Sequence, residues 1–331
     1  MNESHIINHV PADSLALDAN ADYGIPWFMR SNYKDDPRYK KIDSDIKPLA
    51  DQFMRDGFIV LKQDISSPLC EKMVDDFNKF TAANADYFDP HRDEYGYLHR
   101  IINLHLALPT VFDVFCSAAV TLRLQDALFG GETSVYTTLY YERGSSQTIH
   151  RDTPYFTTRP EYNYFGTWFA LEDAHEENGC LEVIRGGHLI PEIDRSKFAA
   201  DHRQGNQIGA IDPELFDLYQ NKVGEMSIDS NLEKVQLPLK KGDVLIWHPQ
   251  LPHGGSPILN RTLTRHSIVA HTVAAGTPVY QAEAFFNPRA SLPGSATWAM
   301  AHRNGRHYAD HGILDVMHVA PRPVAEFNRI D

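Results

Sequence analysis

The chain has 331 residues, 42% of them hydrophobic and 23% charged, which is the composition of an ordinary globular protein. Its 31 basic and 44 acidic residues give a formal net charge of −13, which argues against nucleic acid and against an anionic membrane surface as partners. We therefore expect a small-molecule partner. Composition leaves the oligomeric state open.

The cysteine pattern bears on the compartment. Cys70, Cys116 and Cys180 are widely spaced and odd in number, which predicts free thiols in a reducing environment. Residues 1–13 lack the apolar core of a secretory signal, and the apolar stretch 104–129 is interrupted by proline and charged residues. These features predict a cytoplasmic protein.

Helical patterns come first along the chain, after an irregular N-terminal arm over residues 1–44. Apolar residues spaced three and four apart predict a helix over 45–56, and Gly57 separates it from a buried strand over 58–61. A second helix is predicted over 68–81, with Pro68 at its first position. Pro109 opens a third helix that continues to Gly130.

From residue 133 the period changes to that of strands. The predicted strands span residues 134–142, 164–171, 180–184, 234–239, 243–247 and 263–273. Asn178-Gly179 predicts a hairpin turn between the second and third of them, and the long polar segment 186–236 predicts a lid.

About eight short strands after N-terminal helices predict a mainly β fold with helices, in which two packed sheets form a jelly-roll, cupin-like core. The N-terminal helices are expected to pack on one sheet. The predicted domain covers 45–275, with helices over 45–130 and the strands over 133–275. Residues 276–331 lack clean periodicity and are expected to form a C-terminal extension covering the core.

The candidate metal ligands are His150, Asp152 and His253. On an extended strand, residues two apart project to one face, so His150 and Asp152 lie side by side. His253 follows a later predicted strand. We prefer it to His248, because the glycines that follow His253 leave backbone room beside a metal. Two imidazoles and one carboxylate that leave positions open are typical of non-haem Fe(II) oxygenases.

Such an oxygenase needs two electrons beyond those of its prime substrate, and oxidative decarboxylation of 2-oxoglutarate would supply them. The distal carboxylate of 2-oxoglutarate then needs a buried cation, for which a planar guanidinium is well suited. Arg265, on the strand after His253, is the candidate. Arg261 falls in a turn-like sequence and is expected to face solvent.

Several motifs, in this order, resemble the phytanoyl-CoA dioxygenase family of Fe(II)/2-oxoglutarate oxygenases, and the resemblance covers about residues 45–275. The matching stretches are the helix and strand over 52–61, His150-Arg151-Asp152-Thr153-Pro154-Tyr155-Phe156, Gly166-Thr167-Trp168-Phe169-Ala170-Leu171, the Asn-Gly-Cys-Leu segment within 177–188, and 241–256.

The resemblance implies a double-stranded β-helix fold that binds one Fe(II) and uses 2-oxoglutarate and O2. It implies that the iron ligands are His150, Asp152 and His253. It also implies that 2-oxoglutarate is bound by Arg265, Trp168, Ser256 and Tyr140. The family often has one glycine between the distal histidine and the serine, whereas this chain has two, which puts Ser256 in question. Halogenating relatives lack the carboxylate, so Asp152 favours oxygen transfer.

We therefore predict a dioxygenase that hydroxylates an unactivated C–H bond of a small organic substrate and releases succinate and CO2. The alternatives are another 2-oxoglutarate-driven oxidation such as desaturation or cyclisation, an acyl-CoA hydroxylase, a catalytically idle jelly roll that binds a metal or small molecule, and a zinc-dependent hydrolase. The candidate substrate residues, each of which also fits a purely structural role, are Arg100, Asn103, His105, Tyr155 and Arg159.

Overall fold

The structure is a computed structural model that describes residues 26–203, 208–209, 211–288 and 298–330. Most of the predicted N-terminal arm lies outside these residues, and so do residues 1–13, which lack a secretory signal core. Small parts of the predicted lid and of the predicted C-terminal extension also lie outside them. In the described ranges, no helix is both long enough and apolar enough to cross a membrane.

Nine α-helices occur in the described residues: α1 Pro37–Lys41, α2 Lys47–Asp56, α3 Ser67–Ala83, α4 Ala85–Phe88, α5 Pro109–Ser117, α6 Ala119–Phe129, α7 Arg195–Arg203, α8 Pro213–Asp229 and α9 Ala282–Phe285. Prolines occupy the first turn of α2, α3 and α5, where no backbone donor is lost. Gly57 ends α2 with a φ of 80°, a conformation that favours glycine.

The prediction of one continuous helix from Pro109 to Gly130 is wrong in one respect. Ala118 leaves the helical conformation, with φ −77° and ψ 76°, and separates α5 from α6. Ala118 is buried at the junction and Ala119 is exposed. The apolar spacing is similar on both sides of the break, so the sequence pattern does not reveal it.

The described strands form a larger sheet, a smaller sheet and one separate pair. They are β1 Phe58–Leu61, β2 Ile101–Ile102, β3 Thr133–Tyr141, β4 Thr157–Thr158, β5 Tyr164–Ala170, β6 Leu181–Ile184, β7 Lys234–Leu237, β8 Val244–Trp247, β9 His253–Gly255, β10 Ser267–Ala274, β11 Val279–Tyr280, β12 Met300–Arg303, β13 Arg306–Ala309, β14 Ile313–Val316 and β15 Arg322–Pro323.

The larger sheet has the order β1-β8-β5-β10-β3-β2-β14-β15, with β13 also beside β3 and β12 beside β13. The smaller sheet has the order β7-β6-β9, and β4 pairs separately with β11. Between β5 and β10 the chain crosses several times from one sheet to the other, and two packed sheets connected in this way make a jelly roll. The predicted fold class is confirmed.

The two faces of the larger sheet have different neighbours. Outward side chains such as Phe165, Phe169 and Ile268 join a large apolar core with α2, α3, α5 and α6. Inward side chains such as Trp168 and Val269 pack with the smaller sheet in a second core. Side chains alternate along a strand, so every second residue of β5 and β8 faces the interior of the jelly roll. In β3 a register shift against β10 interrupts the alternation, and the adjacent residues Tyr136 and Thr137 both line the cavity.

Asn178 and Gly179 do not form the predicted hairpin. β5 pairs with β8 and β10, whereas β6 pairs with β7 and β9, so the segment between β5 and β6 crosses from one sheet to the other. The Asn178 side chain stabilises this crossing: it accepts the His175 N–H and donates to the carbonyls of Asp173 and Thr264. Asn178-Gly179 therefore lies in a connection between two sheets. β5 and β6 cannot pair with each other, because β5 has β8 and β10 as neighbours.

Residues near the two ends of the described range contribute to the core and to the larger sheet. Within the predicted irregular arm, Trp27 and Phe28 are buried in the large apolar core, and α1 follows them. At the other end, Tyr308 on β13 lies opposite Val135 on β3, and β14 pairs with β2. The C-terminal extension therefore forms part of the larger sheet.

Candidate functional site

Three side chains that are distant in sequence meet inside the jelly roll. His150 and His253 form an isolated antiparallel bridge, with backbone N–H···O=C distances of 2.9 and 3.0 Å in the two directions. His150 Nε2 lies 3.4 Å from Asp152 Oδ1, and His253 Nε2 lies 3.4 Å from Asp152 Oδ2. The candidate ligand atoms all lie within 4.8 Å of one another, a spacing that could hold one metal ion.

Both imidazoles are held in the tautomer that a metal requires. His150 Nδ1 donates to the carbonyl of Thr148 at 2.7 Å, and His253 Nδ1 donates to the carbonyl of Leu251 at 2.9 Å. A carbonyl only accepts, so each Nδ1 carries a proton, and in the neutral ring the lone pair is then on Nε2. The backbone thus orients both rings toward the position between them and Asp152.

The glycines after His253 allow the two ligand segments to approach each other. A Cβ atom on Gly254 would lie 2.6 Å from the carbonyl oxygen of Gln147, and one on Gly255 would lie 2.9 Å from Ser145 Oγ. A larger residue at either position would push His253 away from His150. The space that these glycines leave is therefore occupied by the segment that contains Ser145 and Gln147.

Asp152 is oriented by two further side chains that the sequence interpretation missed. Trp247 Nε1 donates to its Oδ2 at 3.3 Å, and His271 Nε2 lies 3.2 Å from the same oxygen. Burial would raise the pKa of the Asp152 carboxyl, but the imidazoles of His253, His150 and His271 together lower it well below its usual value. An ionised carboxylate is the form that binds a metal.

Arg265 has the environment expected of an anion-binding residue. It is 1% exposed, its Nη1 donates to the carbonyl of Gly179, and its Nε has no hydrogen-bond partner among the described residues. Its Cζ lies 5.4 Å from the centroid of the Trp168 ring. Burial lowers the pKa of the guanidinium to about 10, which keeps it charged at neutral pH. No carboxylate of the described chain is among the groups that raise its pKa, so a bound anion would offset its desolvation.

One cavity of about 690 Å³ contains the three ligand residues, Arg265 and Trp168. Apolar and aromatic side chains form much of its wall. They include Tyr136, Tyr155, Phe156, Phe216 and Trp298. A cavity of this size with a few convergent polar groups is typical of a small-molecule site.

Three of the five candidate substrate residues line this cavity: Arg100, Asn103 and Tyr155. His105 and Arg159 do not. His105 is buried against Thr138, with Nδ1 2.8 Å from its Oγ1, and Arg159 lies 3.3 Å from Glu161. Both have structural partners away from the cavity.

Two of the predicted co-substrate residues also lie elsewhere. Tyr140 faces the outer core, stacked on Phe77 at 4.2 Å, and its hydroxyl lies 2.7 Å from His266 Nδ1. Its neighbour Tyr141 lines the cavity instead, because adjacent strand residues point to opposite faces. Ser256 donates to the carbonyl of Cys180 at 2.8 Å and is not in the cavity wall.

The rejected alternatives are also accounted for. His248 is buried between Phe28 and Phe53, with ring centroids 6.0 Å away in each case, and does not belong to the ligand group. Arg261 has a 63% exposed side chain and its nearest carboxylate partner is Glu94, 3.9 Å away.

A signal for His271 was present in the sequence, since it follows Arg265 by an even number of positions on one strand and therefore faces inward too. No comparable signal identified the C-terminal wall. Trp298, His311, Ile313, Asp315 and His318 line the cavity, and they come from the extension without clear periodicity.

Comparisons with known proteins agree with this geometry. A family model described as phytanoyl-CoA dioxygenase matches residues 53–267. The peroxisomal phytanoyl-CoA dioxygenase of Bos taurus is 28% identical over 118 residues, which are 34% of this chain and 29% of that protein. The chain thus matches about a third of the length of such curated relatives.

Among solved structures, the non-haem α-ketoglutarate-dependent carbocyclase SnoK from nogalamycin biosynthesis superposes with a TM-score of 0.54 at 15% identity, covering 78% of this chain and 96% of that one. EctD from S. alaskensis, solved with 2-oxoglutarate and 5-hydroxyectoine, has a TM-score of 0.52 at 17% identity and covers 76% and 85%. At these identities the likeness concerns the fold.

Proposed function

This chain belongs to the phytanoyl-CoA dioxygenase family, whose model matches residues 53–267, and from that premise we propose that it is an Fe(II)- and 2-oxoglutarate-dependent oxygenase acting on a small organic molecule. The observation that carries the proposal is the meeting of His150, Asp152 and His253 in one cavity with the buried Arg265.

The donor set fits ferrous iron. Two neutral imidazoles and one ionised carboxylate are the ligands of the facial triad that such oxygenases use, and they leave positions for a chelating co-substrate. When bound, the iron together with 2-oxoglutarate and O2 supplies the oxidising chemistry, with succinate and CO2 as the co-products. The protein provides orientation, electrostatics and exclusion of water.

Arg265 would bind the distal carboxylate of 2-oxoglutarate. A guanidinium can bind a carboxylate with two parallel hydrogen bonds, and the unpartnered Nε leaves one edge of Arg265 available. Trp168 lies beside this guanidinium and would pack against the carbon chain of the co-substrate. An anion bound beside Arg265 would meet no competing carboxylate of the described chain.

For the prime substrate we propose hydroxylation of an unactivated C–H bond, in which one oxygen atom of O2 enters the product and the other enters succinate. Asp152 would supply the third protein ligand, so no coordination position would be left open for a halide by a missing carboxylate. The structural relatives include a carbocyclase, so product analysis has to separate hydroxylation from ring formation or desaturation.

Arg100, Asn103 and Tyr155 are the proposed substrate contacts. Arg100 Nη2 is 3.4 Å from Gln147 Oε1, and its Nε has no hydrogen-bond partner in the described chain. Tyr155 packs on Phe216, with ring centroids 4.4 Å apart, and adds an aromatic wall.

A cytoplasmic location is part of the proposal and is supported by the three free cysteines.

The direct test measures succinate release from 2-oxoglutarate by the anaerobically iron-loaded protein after O2 is admitted, across a panel of small organic acids, amines and CoA esters. We expect one compound class to stimulate release and to gain an oxygen atom from isotopically labelled O2. Absence of release with every compound, or succinate release that persists without iron, would contradict the proposal. A coupled product with no added oxygen would favour desaturation or cyclisation.

A further inference from the structure

Helix α8 lies in the segment predicted to be a lid, but it is bonded to the residue between two metal ligands. Gln220 on α8 accepts the Arg151 N–H with its Oε1 at 2.8 Å, and its Nε2 donates to the Arg151 carbonyl at 2.8 Å. Gln220 is 7% exposed, so water does not readily replace these bonds. No other backbone group of the described chain pairs with these two Arg151 groups.

The two bonded groups belong to the peptide units that flank Arg151. Its N–H is part of the peptide bond from His150, and its carbonyl is part of the peptide bond to Asp152. Gln220 therefore holds both peptide planes that carry these ligands. The relative orientation of the imidazole and the carboxylate depends on those planes, because each Cα–Cβ bond projects from one of them.

The Arg151 side chain continues this connection through Glu192. Arg151 is 1% exposed, and its Nη1 lies 3.6 Å from Glu192 Oε2. The same oxygen accepts from the Tyr219 hydroxyl of α8 at 2.9 Å and from Gln250 Nε2 at 3.0 Å. Gln250 precedes His253 by three residues, so the network reaches both ligand segments from α8.

Helix α8 is itself packed in place. Leu215, Tyr219 and Val223 are buried with Phe285 and Phe286 in a separate apolar cluster. A helix anchored by such a cluster and by buried hydrogen bonds is a rigid support and a poor candidate for a freely opening lid.

We propose that Gln220 is a positioning residue for the metal site, so that the inserted helix α8 sets metal affinity without contributing a ligand. The inference rests on the proposed function only for the identity of the metal. Its physical basis is the general one that groups bonded to metal-ligand segments fix ligand orientation.

The test is a titration of the metal-free protein with Co(II), which needs neither 2-oxoglutarate nor a substrate and reports affinity and the visible spectrum together. Gln220→Met keeps the side-chain length and removes both hydrogen bonds. We expect its Kd for Co(II) to rise about 10- to 100-fold, the loss usual for removal of such supporting contacts, with an altered ligand-field spectrum.

Lys222→Met is the matched control on the same helix, because Glu225 on the surface is the one salt-bridge partner of Lys222 among the described residues. It should leave the affinity and the spectrum as in the parent. Gln220→Asn, which is too short to reach Arg151 but stays polar, decides the matter if Gln220→Met does not fold.

An unchanged Kd and spectrum in either folded Gln220 variant would overturn the positioning role while leaving the proposed function intact. Conversely, normal Co(II) binding by the parent without succinate release from any compound would count against the proposed function alone. A parent that binds no Co(II) would overturn both.

Discussion

The metal end of the cavity, around His150, Asp152 and His253, differs in burial from its mouth, around Trp298 and Ile313. The side chains of His150, Asp152 and His253 are 8%, 14% and 7% exposed, and all lie within the part of the chain that the family model matches. At the mouth, Trp298 and Ile313 are 38% and 41% exposed and lie beyond that match. The proposed iron ligands thus lie in the region that the family model matches, whereas the segment beyond it contributes part of the cavity wall.

The largest effect should come from the metal end. Asp152→Ala removes the one anionic ligand, so we expect metal affinity to fall by more than about 100-fold, since even supporting contacts are worth about 10- to 100-fold. Succinate release should fall below detection. Metal titration and the succinate assay check this. Asp113→Ala is the control, because Asp113 pairs with Arg303 outside the cavity. Release at the parent rate by Asp152→Ala would refute the site.

Arg265→Ala should separate co-substrate binding from metal binding. Removing one partner of a buried charge pair costs about 2–5 kcal/mol, so the KM for 2-oxoglutarate should rise at least about 30-fold while Co(II) affinity is retained. Arg261→Ala is the matched control, since that arginine is largely exposed. Equal KM values for the two variants would show that another cation binds the distal carboxylate, and would reopen the zinc-hydrolase and idle-barrel alternatives.

A change at the mouth should leave the metal end working. Trp298 contacts Tyr136 and His311, with ring centroids 5.6 and 4.8 Å away. Trp298→Ala removes an aromatic wall, so we expect the KM for the prime substrate to rise by about 10-fold, corresponding to about 1.4 kcal/mol. Co(II) affinity and the KM for 2-oxoglutarate should not change. Leu259→Ala, at an exposed position outside the cavity wall, is the control. A rise in the KM for 2-oxoglutarate would mean that the two ends are not independent.

An effect on stability alone is expected at a residue that the sequence assigned to the substrate and the structure assigns to the core. Burial lowers the pKa of His105 to about 3. Its unfolded value is about 6.5, so between these values the unfolded chain binds a proton that the folded chain does not. The free energy of unfolding should therefore fall as the pH drops below about 6.5, by up to about 1.4 kcal/mol per pH unit from this group. Above about pH 6.5, His105 is neutral in both the folded and the unfolded chain, so this loss of unfolding free energy is absent.

His105→Gln should remove this part of the pH dependence without a change in substrate KM. Urea unfolding at pH 7 and pH 5, for the parent and the variant, checks the first expectation, and the succinate assay checks the second. An identical pH slope would contradict the burial argument. A raised KM would return His105 to the list of substrate residues.

Much of the metal end could be read from the residues alone. The two-residue spacing of His150 and Asp152, the glycines after His253 and the guanidinium of Arg265 are local patterns, and each has a direct chemical meaning. The two-sheet fold was also predictable, because strand periodicity over several segments restricts a chain of this size to few architectures.

Other features depended on contacts that no local pattern encodes. Alternation along β3 shows that Tyr140 and Tyr141 face opposite sides, but only packing decides which tyrosine faces the cavity. Asn178-Gly179 marks a turn, but the sheet that the following strand joins depends on edges offered by β7 and β9.

The sequence by itself therefore determined the fold class and led to the proposed donor set and co-substrate cation, because these follow from residue chemistry and short-range periodicity. Only the tertiary structure decided that Trp298 and Asp315 line the mouth and that Gln220 holds the backbone of Arg151. Such pairings join residues far apart in the chain, and their free energy comes from burial that exists only after the chain has folded.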